Sequence, residues 1–335
     1  MLKKLDKKLS VAPMMDWTDR HCRYFHRQLS REVLLYSEMV TAAAIVHGDA
    51  ERLLGFDAAE HPVALQLGGS DPEQLAAAVT IANEFGYDEI NFNVGCPSDR
   101  VQSGCFGAAL MATPALVAEC VVAMKEASRG AEITVKCRIG IDDQIPRDIL
   151  PDFLQTVANV GVTSFAIHAR KAWLEGLSPK QNRDVPPLDV QLVLDMKRMF
   201  PALEVVINGG ITSLDQALGF LDQGLDGVMI GRAAYHDPAI LLEADRRIFG
   251  VKRQISAQQA VIDMLPYIDA HLNAGGRLNQ ISRHMLGLFA GRVGARKWRR
   301  ILSEGAHLDG AGPALILEAL AAVSPDQGLQ SAPQL

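Results

Sequence analysis

No run of about 18 consecutive apolar residues occurs in the 335-residue sequence, so no transmembrane helix is expected. The opening segment, MLKKLDKKLSVAP, carries lysines but lacks the apolar core of a secretory signal. The expected location is therefore the cytoplasm. Cysteine is scarce: Cys22, Cys96, Cys105, Cys120 and Cys137 form an odd number at loose spacing. With no CxxC and no His-rich cluster, neither a disulfide framework nor a structural zinc site is expected, and no metal. Inert packing or one functional thiol remains. No GxGxxG follows the first strand-like run, which weighs against a dinucleotide-binding Rossmann domain. No short-period repeat appears.

Positive charge is in deficit over most of the chain. Residues 1–250 hold 24 Lys and Arg against 33 Asp and Glu, whereas residues 251–335 hold nine against six, within a net charge of −6. Five of those nine fall in GRVGARKWRR, Gly291–Arg300. A basic cluster on an acidic protein is either a footprint for a polyanion or a solvated helix face. Hydrophobic content of 48% and charged content of 21% suit a folded chain with a full core.

Eight runs rich in Val, Ile, Leu and Phe punctuate the first 235 residues: Leu9–Met15, Leu34–Met39, Pro62–Gly69, Glu89–Cys96, Ile133–Gly140, Ser164–Ala169, Glu204–Gly210 and Gly227–Arg232. Helical patterns lie between them, among them Pro72–Gly86, Thr113–Ser128, Asp148–Val160 and Ser213–Asp222. Asp71 before Pro72, and Thr113 before Pro114, supply start signals. Apolar strands alternating with helices imply a parallel sheet covered on its outer face. Eight units of this length fit a (β/α)8 TIM barrel better than an open doubly wound sheet. Past residue 250 the strand-like runs stop and amphipathic helical patterns take over, with Pro266 expected to kink the first. The fold class is thus α/β, a TIM barrel over residues 1–245, followed by an all-α helical-bundle domain over 246–325 and a frayed tail over 326–335.

In such a barrel, chemistry collects where strands end. Asn208-Gly209-Gly210 and Gly231-Arg232 close the seventh and eighth strands. Glycines there expose N–H groups for a phosphate, and Arg232 adds a charge-assisted contact; the plain alternative is a pair of tight turns. Lys136 and His168 come from the fifth and sixth strands. A cation and a His beside a phosphate site suit a cofactor that gathers negative charge, such as a reduced flavin, and Gln66 can hydrogen-bond the same ring edge. Taken singly, these three read as a rim charge, a buried histidine and a strand end. Cys96, between Gly95 and Pro97 after the fourth strand, is placed at the mouth as a proton donor. Cys105 lies in the following loop with no assignable role. Cys22, Cys120 and Cys137 fit inert core positions.

The motifs APMMDWTDRHCRYF, LQLGG, INFNVGCPSDRVQSGCFGAAL, VKCRIGID, IHARKAWLEGLSPKQNR, VINGGI and DGVMIGR together resemble the tRNA-dihydrouridine synthases. NVGCPS and the block from His168 to Leu188 resemble the subfamily that acts on D-loop uridines 20 and 20a. The resemblance covers nearly the whole chain. It implies bound, non-covalent FMN, reduced by NADPH, with a hydride passing from flavin N5 to uracil C6 and a proton from Cys96 to C5. It assigns Pro13, Met14, Met15, Gln66, Lys136 and His168 to the isoalloxazine, and Asn208, Gly209, Gly210, Gly231 and Arg232 to the phosphate. It places Asn93 near the target uridine, and Lys180, Arg183, Arg296 and Arg299 on the tRNA. The implied partner is tRNA, held at its D-loop and elbow, with no membrane and no obligate protein partner. Trp298 is the aromatic candidate for RNA contact in the sparse C-terminal cluster, in line with shape recognition of a folded RNA. Two other readings stay open: a small-molecule flavin dehydrogenase of the dihydroorotate type, which has no use for a basic C-terminal region, and a non-catalytic RNA-binding barrel.

Overall fold

The computed structural model describes residues 5–97 and 106–323. Cys105 and the tail 326–335 lie outside the described residues. Eight parallel strands pair in sequence order and close on themselves: β1 (Leu9–Val11), β2 (Leu34–Thr41), β3 (Val63–Gly68), β4 (Glu89–Val94), β5 (Glu132–Arg138), β6 (Ser164–His168), β7 (Glu204–Asn208) and β8 (Gly227–Ile230). Helices alternate with them, so the architecture is a TIM barrel. A helical region follows β8. Among the described residues, no helix is long and apolar enough to cross a membrane.

Seven of the strands stop short of the apolar runs in the sequence, and the reason is local. Pro13 and Pro97 have no N–H for the ladder, while Gly209 and Gly210 turn through φ of 112° and 72°. The terminal residues of each run therefore leave the sheet at its C-terminal end and form loops over the mouth. Helix starts follow the sequence signals unequally. The Asp71 carboxylate accepts from the N–H groups of Glu73 and Gln74, capping Pro72–Ala82. Thr113 makes no such bond, and Pro114 alone sets the start of Pro114–Ala127. Pro266 does not kink a continuous helix. It sits in the first turn of Leu265–Asn273, separated at Met264 from Ala257–Asp263.

The barrel interior is stratified. Alternation along β4 puts Glu89, Asn91 and Asn93 on one face and Ile90, Phe92 and Val94 on the other. The register sets Ala64 beside Glu89, and Ala64 belongs to a buried cluster with Leu34, Tyr36, Ala166, Val206 and Met229, drawn from all round the barrel. The polar face of β4 is thus the inner one. At the N-terminal end of the strands, buried Lys7 reaches Glu89 and Glu132 at 2.9 Å and Glu204 at 3.3 Å, and donates to Ser164 Oγ at 3.0 Å. Although burial works against the charge, the three carboxylates hold the Lys7 pKa above its ordinary value.

Two compact units emerge, and their boundary is not the expected one at residue 245. The first gathers the described residues up to Arg23 with Glu32–Gly231; the second gathers Tyr24–Arg31 with the described residues from Arg232 onward. The early segment joins the late one through specific contacts. Tyr24 stacks on Tyr267 with ring centroids 3.9 Å apart. Ser30 Oγ donates to Asp245, whose other oxygen accepts from the Arg31 N–H at 3.0 Å. Arg253 donates to the carbonyls of Gln28 and Leu29 at 3.1 and 3.4 Å. Within this second unit Trp298 is fully buried, donating to the Met285 carbonyl at 3.1 Å and meeting Phe289 edge to face. That corrects its reading as an RNA-facing aromatic: on Ala295–Gly305 it shares the inward stripe with Ala295 and Leu302, while Arg296, Lys297, Arg299 and Arg300 lie exposed.

Two outcomes follow from these buried charges. Lys7→Met leaves three carboxylates converging without a cation, so urea denaturation should show a loss of about 3–5 kcal/mol; a loss below about 1 kcal/mol would refute a structural role. His26, buried beside His284 and Arg27, is pushed down to about 3, burial being the main cause. The unfolded chain takes up a proton near pH 6.5 that the folded unit refuses, so stability should fall as pH drops from about 6.5 toward 3, by about 2 kcal/mol at pH 5. Melting curves against pH test this, and His26→Gln should flatten the acid limb.

Candidate active site at the barrel mouth

The C-terminal rim of the barrel gathers side chains from adjacent strands in register. Gln66 pairs with Asn91, Asn93 with Lys136, Arg138 with His168, and His168 with Asn208. Inward positions on β5 are polar throughout: Glu132, Thr134, Lys136 and Arg138 alternate with Ile133, Val135 and Cys137.

Cys96 sits just past β4, half-buried, in a turn held from three sides. Asn93 Oδ1 accepts from the N–H groups of Gly95 and Cys96 at 3.0 and 2.9 Å. The Cys96 carbonyl accepts from Ala108 N–H at 2.9 Å. Arg138 Nε donates to the Gly95 carbonyl at 3.1 Å, and its Nη1 to the carbonyls of Asn182 and Lys171 at 3.0 and 3.3 Å. Of the other described cysteines, Cys22, Cys120 and Cys137 are buried, as core thiols should be.

Arg138 is the site residue that sequence reasoning missed. It is buried, it donates to three backbone carbonyls, and burial pushes its guanidinium down, with Arg183 and Arg170 adding repulsion. Lys136 is pushed down to about 8 by burial and then by Arg138, while a thiolate at Cys96 favours its charge. His168 lies well below the usual histidine range, from burial first and then from Arg138 and Lys136, so it is neutral at neutral pH. Mutual repulsion of this kind marks a place that accepts negative charge. A signal was available: polar residues at every second position of EITVKCR put the arginine on the same face as the lysine.

On the other side of the mouth, Gly209 and Gly210 occupy left-handed backbone conformations. A Cβ on Gly209 would lie 2.6 Å from His168 Cδ2, and one on Gly210 2.6 Å from Leu188 Cδ1. Gly231 faces Ala12 and Met14, whose nearest atoms would stand 3.7 Å from a Cβ there. Lacking a Cβ, Gly209 and Gly210 let the His168 and Leu188 side chains pack directly against the backbone. Asn208 spends its amide on structure, donating to the Met229 carbonyl at 2.8 Å and tying β7 to β8.

The remaining assigned residues are less convergent. Pro13 and Met14 are half-buried, with Met14 held by Thr18, whereas Met15 is 53% exposed. Gln66 is buried, donating to Asn91 and accepting from Asn93, whose amide oxygen holds the Cys96 turn. Lys180 and Arg183 are exposed around the short turn Gln181–Arg183, pinned by buried Asn182. Arg296 and Arg299 are exposed in the second unit, to which Arg232 also belongs.

Comparison with known proteins adds a family to this geometry. The family model described as Dihydrouridine synthase (Dus) matches residues 10–324. A tRNA-dihydrouridine(20/20a) synthase from Shewanella oneidensis is 56% identical over 325 residues, covering 97% of this chain and 96% of its own. One of the same description from Vibrio cholerae is 56% identical over 318 residues, covering 94% and 96%. Among solved structures, an old yellow enzyme homologue from Zymomonas mobilis superposes with a TM-score of 0.53 at 13% identity, over 75% of this chain and 90% of its own. Morphinone reductase does so with a TM-score of 0.52 at 13% identity, over 74% and 87%. At that identity the likeness is one of fold.

Gly209→Ala tests the cradle. The new methyl meets His168 and the backbone must hold φ of 112°, so denaturation should show a loss of about 1–3 kcal/mol. The His168 ring resonances should move with it; an unperturbed ring and unchanged stability would mean that the two residues do not touch.

Proposed function

Because the chain belongs to the dihydrouridine synthase family, we propose that it reduces the C5=C6 bond of uridine to 5,6-dihydrouridine in the tRNA D-loop, at positions 20 and 20a, with FMN as its flavin and NADPH as reductant. The enzyme is a flavin-dependent oxidoreductase working in the cytoplasm. One arrangement carries the assignment of roles: a half-buried thiol on a pinned turn, beside buried groups that all favour an anion.

The residues at the mouth fit FMN. Gly209, Gly210 and Gly231, at the ends of β7 and β8, would offer backbone N–H groups to the phosphate, with Arg232 next in the chain and Asn208 keeping the two strand ends together. Pro13, Met14 and Met15 would line the isoalloxazine, and Gln66 would address its pyrimidine edge. Bound FMN supplies the hydride that uracil C6 receives. Lys136, charged below about pH 8, would hold the flavin with a cation, and neutral His168 would offer it a hydrogen bond rather than a charge.

Cys96 delivers the proton to C5, which balances the hydride at C6 and completes the saturated bond. Lys136 and Arg138 stabilise the thiolate left behind until solvent reprotonates it. Asn93 holds the turn that aims the thiol. The target base must leave its stack to reach the mouth. Lys180 and Arg183 on one unit, and Arg296 and Arg299 on the helical unit, take the tRNA phosphates, so binding weakens with salt. A helical tRNA-binding role for the second unit follows from that placement of charge.

Cys96→Ala is the decisive variant. Purified wild-type protein should be yellow, and the variant should keep both FMN and tRNA while dihydrouridine formation drops by roughly 100-fold or more, read by mass spectrometry of digested tRNA. Full activity in Cys96→Ala removes the thiol from the mechanism.

A further inference from the structure

Beneath the mouth, a chain of hydrogen bonds runs along the inner face of β3, β4 and β5. Tyr36 and Thr134 both donate to Glu89 Oε1, at 2.5 and 2.6 Å. Asn91 Nδ2 donates to Thr134 Oγ1 at 2.8 Å, and Gln66 Nε2 to Asn91 Oδ1 at 2.8 Å. Asn93 Nδ2 donates to Gln66 Oε1 at 2.7 Å, and Asn93 Oδ1 accepts from Gly95 and Cys96. Glu89, Asn91, Thr134, Gln66 and Asn93 are all buried.

The direction of this chain is not free. A carboxylate only accepts, so Thr134 must donate to Glu89, and its lone pair must then accept from Asn91. An amide whose nitrogen points at Thr134 presents its oxygen to Gln66, and the same choice passes to Asn93. At the far end the backbone N–H groups of Gly95 and Cys96 only donate, so they require the Asn93 oxygen. Both ends demand one polarity, and three side-chain amides between them have no other solution that leaves no buried group unpaired. Lys7 lies 2.9 Å from Glu89 Oε2, on the side of the carboxylate away from Tyr36 and Thr134.

We propose that Thr134 and Asn91 are positioning residues, which transmit the polarity of Glu89 upward and thereby fix the amide orientation of Gln66 and the Cys96 turn. Neither residue touches substrate or flavin. For Gln66 the consequence is that its nitrogen keeps a second hydrogen and its oxygen a second lone pair, in fixed places, for a ring edge. For Cys96 it is that its turn is locked from below. The part that concerns Gln66 rests on the flavin role proposed above; the part that concerns the turn does not.

Thr134→Val removes the hydroxyl at nearly constant shape, Thr134→Ser restores it, and Asn91→Ala breaks the chain one link higher. Amide hydrogen exchange of the peptide spanning Asn93–Pro97, in protein without flavin, should speed up about tenfold in Thr134→Val and Asn91→Ala and stay at the wild-type rate in Thr134→Ser. In FMN-loaded protein the first two should shift the flavin absorption bands and the midpoint potential and lower kcat about tenfold, with KM for tRNA within about twofold. Wild-type exchange in both breaking variants overturns the proposal, as does a change that Thr134→Ser shares. If Thr134→Val fails to fold, Asn91→Ala with Thr134→Ser carries the same comparison. Exchange that responds as expected in a protein binding no FMN sinks the flavin reading and leaves the lock on Cys96 standing.

Discussion

A single ammonium group organises the barrel from below. Lys7 sits just ahead of β1 and meets residues that open four other strands: Glu89 of β4, Glu132 of β5, Ser164 of β6 and Glu204 of β7. No one of these contacts spans the barrel, but their shared point does. Buried charges contribute little net stability against well-packed apolar groups, since desolvation offsets most of the Coulomb gain. What they provide is uniqueness: few arrangements let one buried cation reach three carboxylates at once. The close approach of Gly227 to the Lys7 carbonyl belongs to the same requirement, because a Cβ there would stand 2.1 Å from that oxygen.

From that floor to the rim, the interior changes from ionic to apolar to amide and cationic. The change is functional as well as architectural. Ion pairing at the floor is made within the barrel, whereas Lys136, Arg138 and His168 at the rim repel one another and have no carboxylate partner among the described residues. The same inner face of β4 and β5 therefore carries a stabilising end and a reactive end, separated by the small amide and hydroxyl groups of Asn91 and Thr134.

Strand positions were readable because each strand is buried on both sides and so forms a nearly continuous apolar run. The ends of those runs, where Cys96, Gly209 and Gly231 lie, were readable from glycine and proline. Inner polar positions were harder. In EINFNV the alternation is that of an amphipathic strand with one wet face, and nothing local says that Glu89, Asn91 and Asn93 point into the barrel instead of toward solvent. Only the closed sheet, with Ala64 beside Glu89, decides it. Arg138 was overlooked because an arginine at a strand end reads as a rim charge, and its burial depends on carbonyls from residues 95, 171 and 182. Trp298 was misread because a basic segment drew attention away from its helical spacing with Leu302. The unit boundary was hidden for a related reason: no pattern in Tyr24–Arg31 announces that its partners lie more than two hundred residues later.

That last feature bears on how the protein is made. Ribosomes add roughly 5–20 residues each second, so Tyr24 emerges on the order of ten to fifty seconds before Tyr267 exists to stack on it. Through that interval the first helix, Arg20–Leu29, has only its barrel-side half furnished with partners, such as the ion pair from Arg23 to Glu60. Its remaining half waits on the last third of the chain. The whole N-terminal helix is thus secured only once the segment holding Asp245, Arg253 and Tyr267 has been made, later than the last barrel strand, β8.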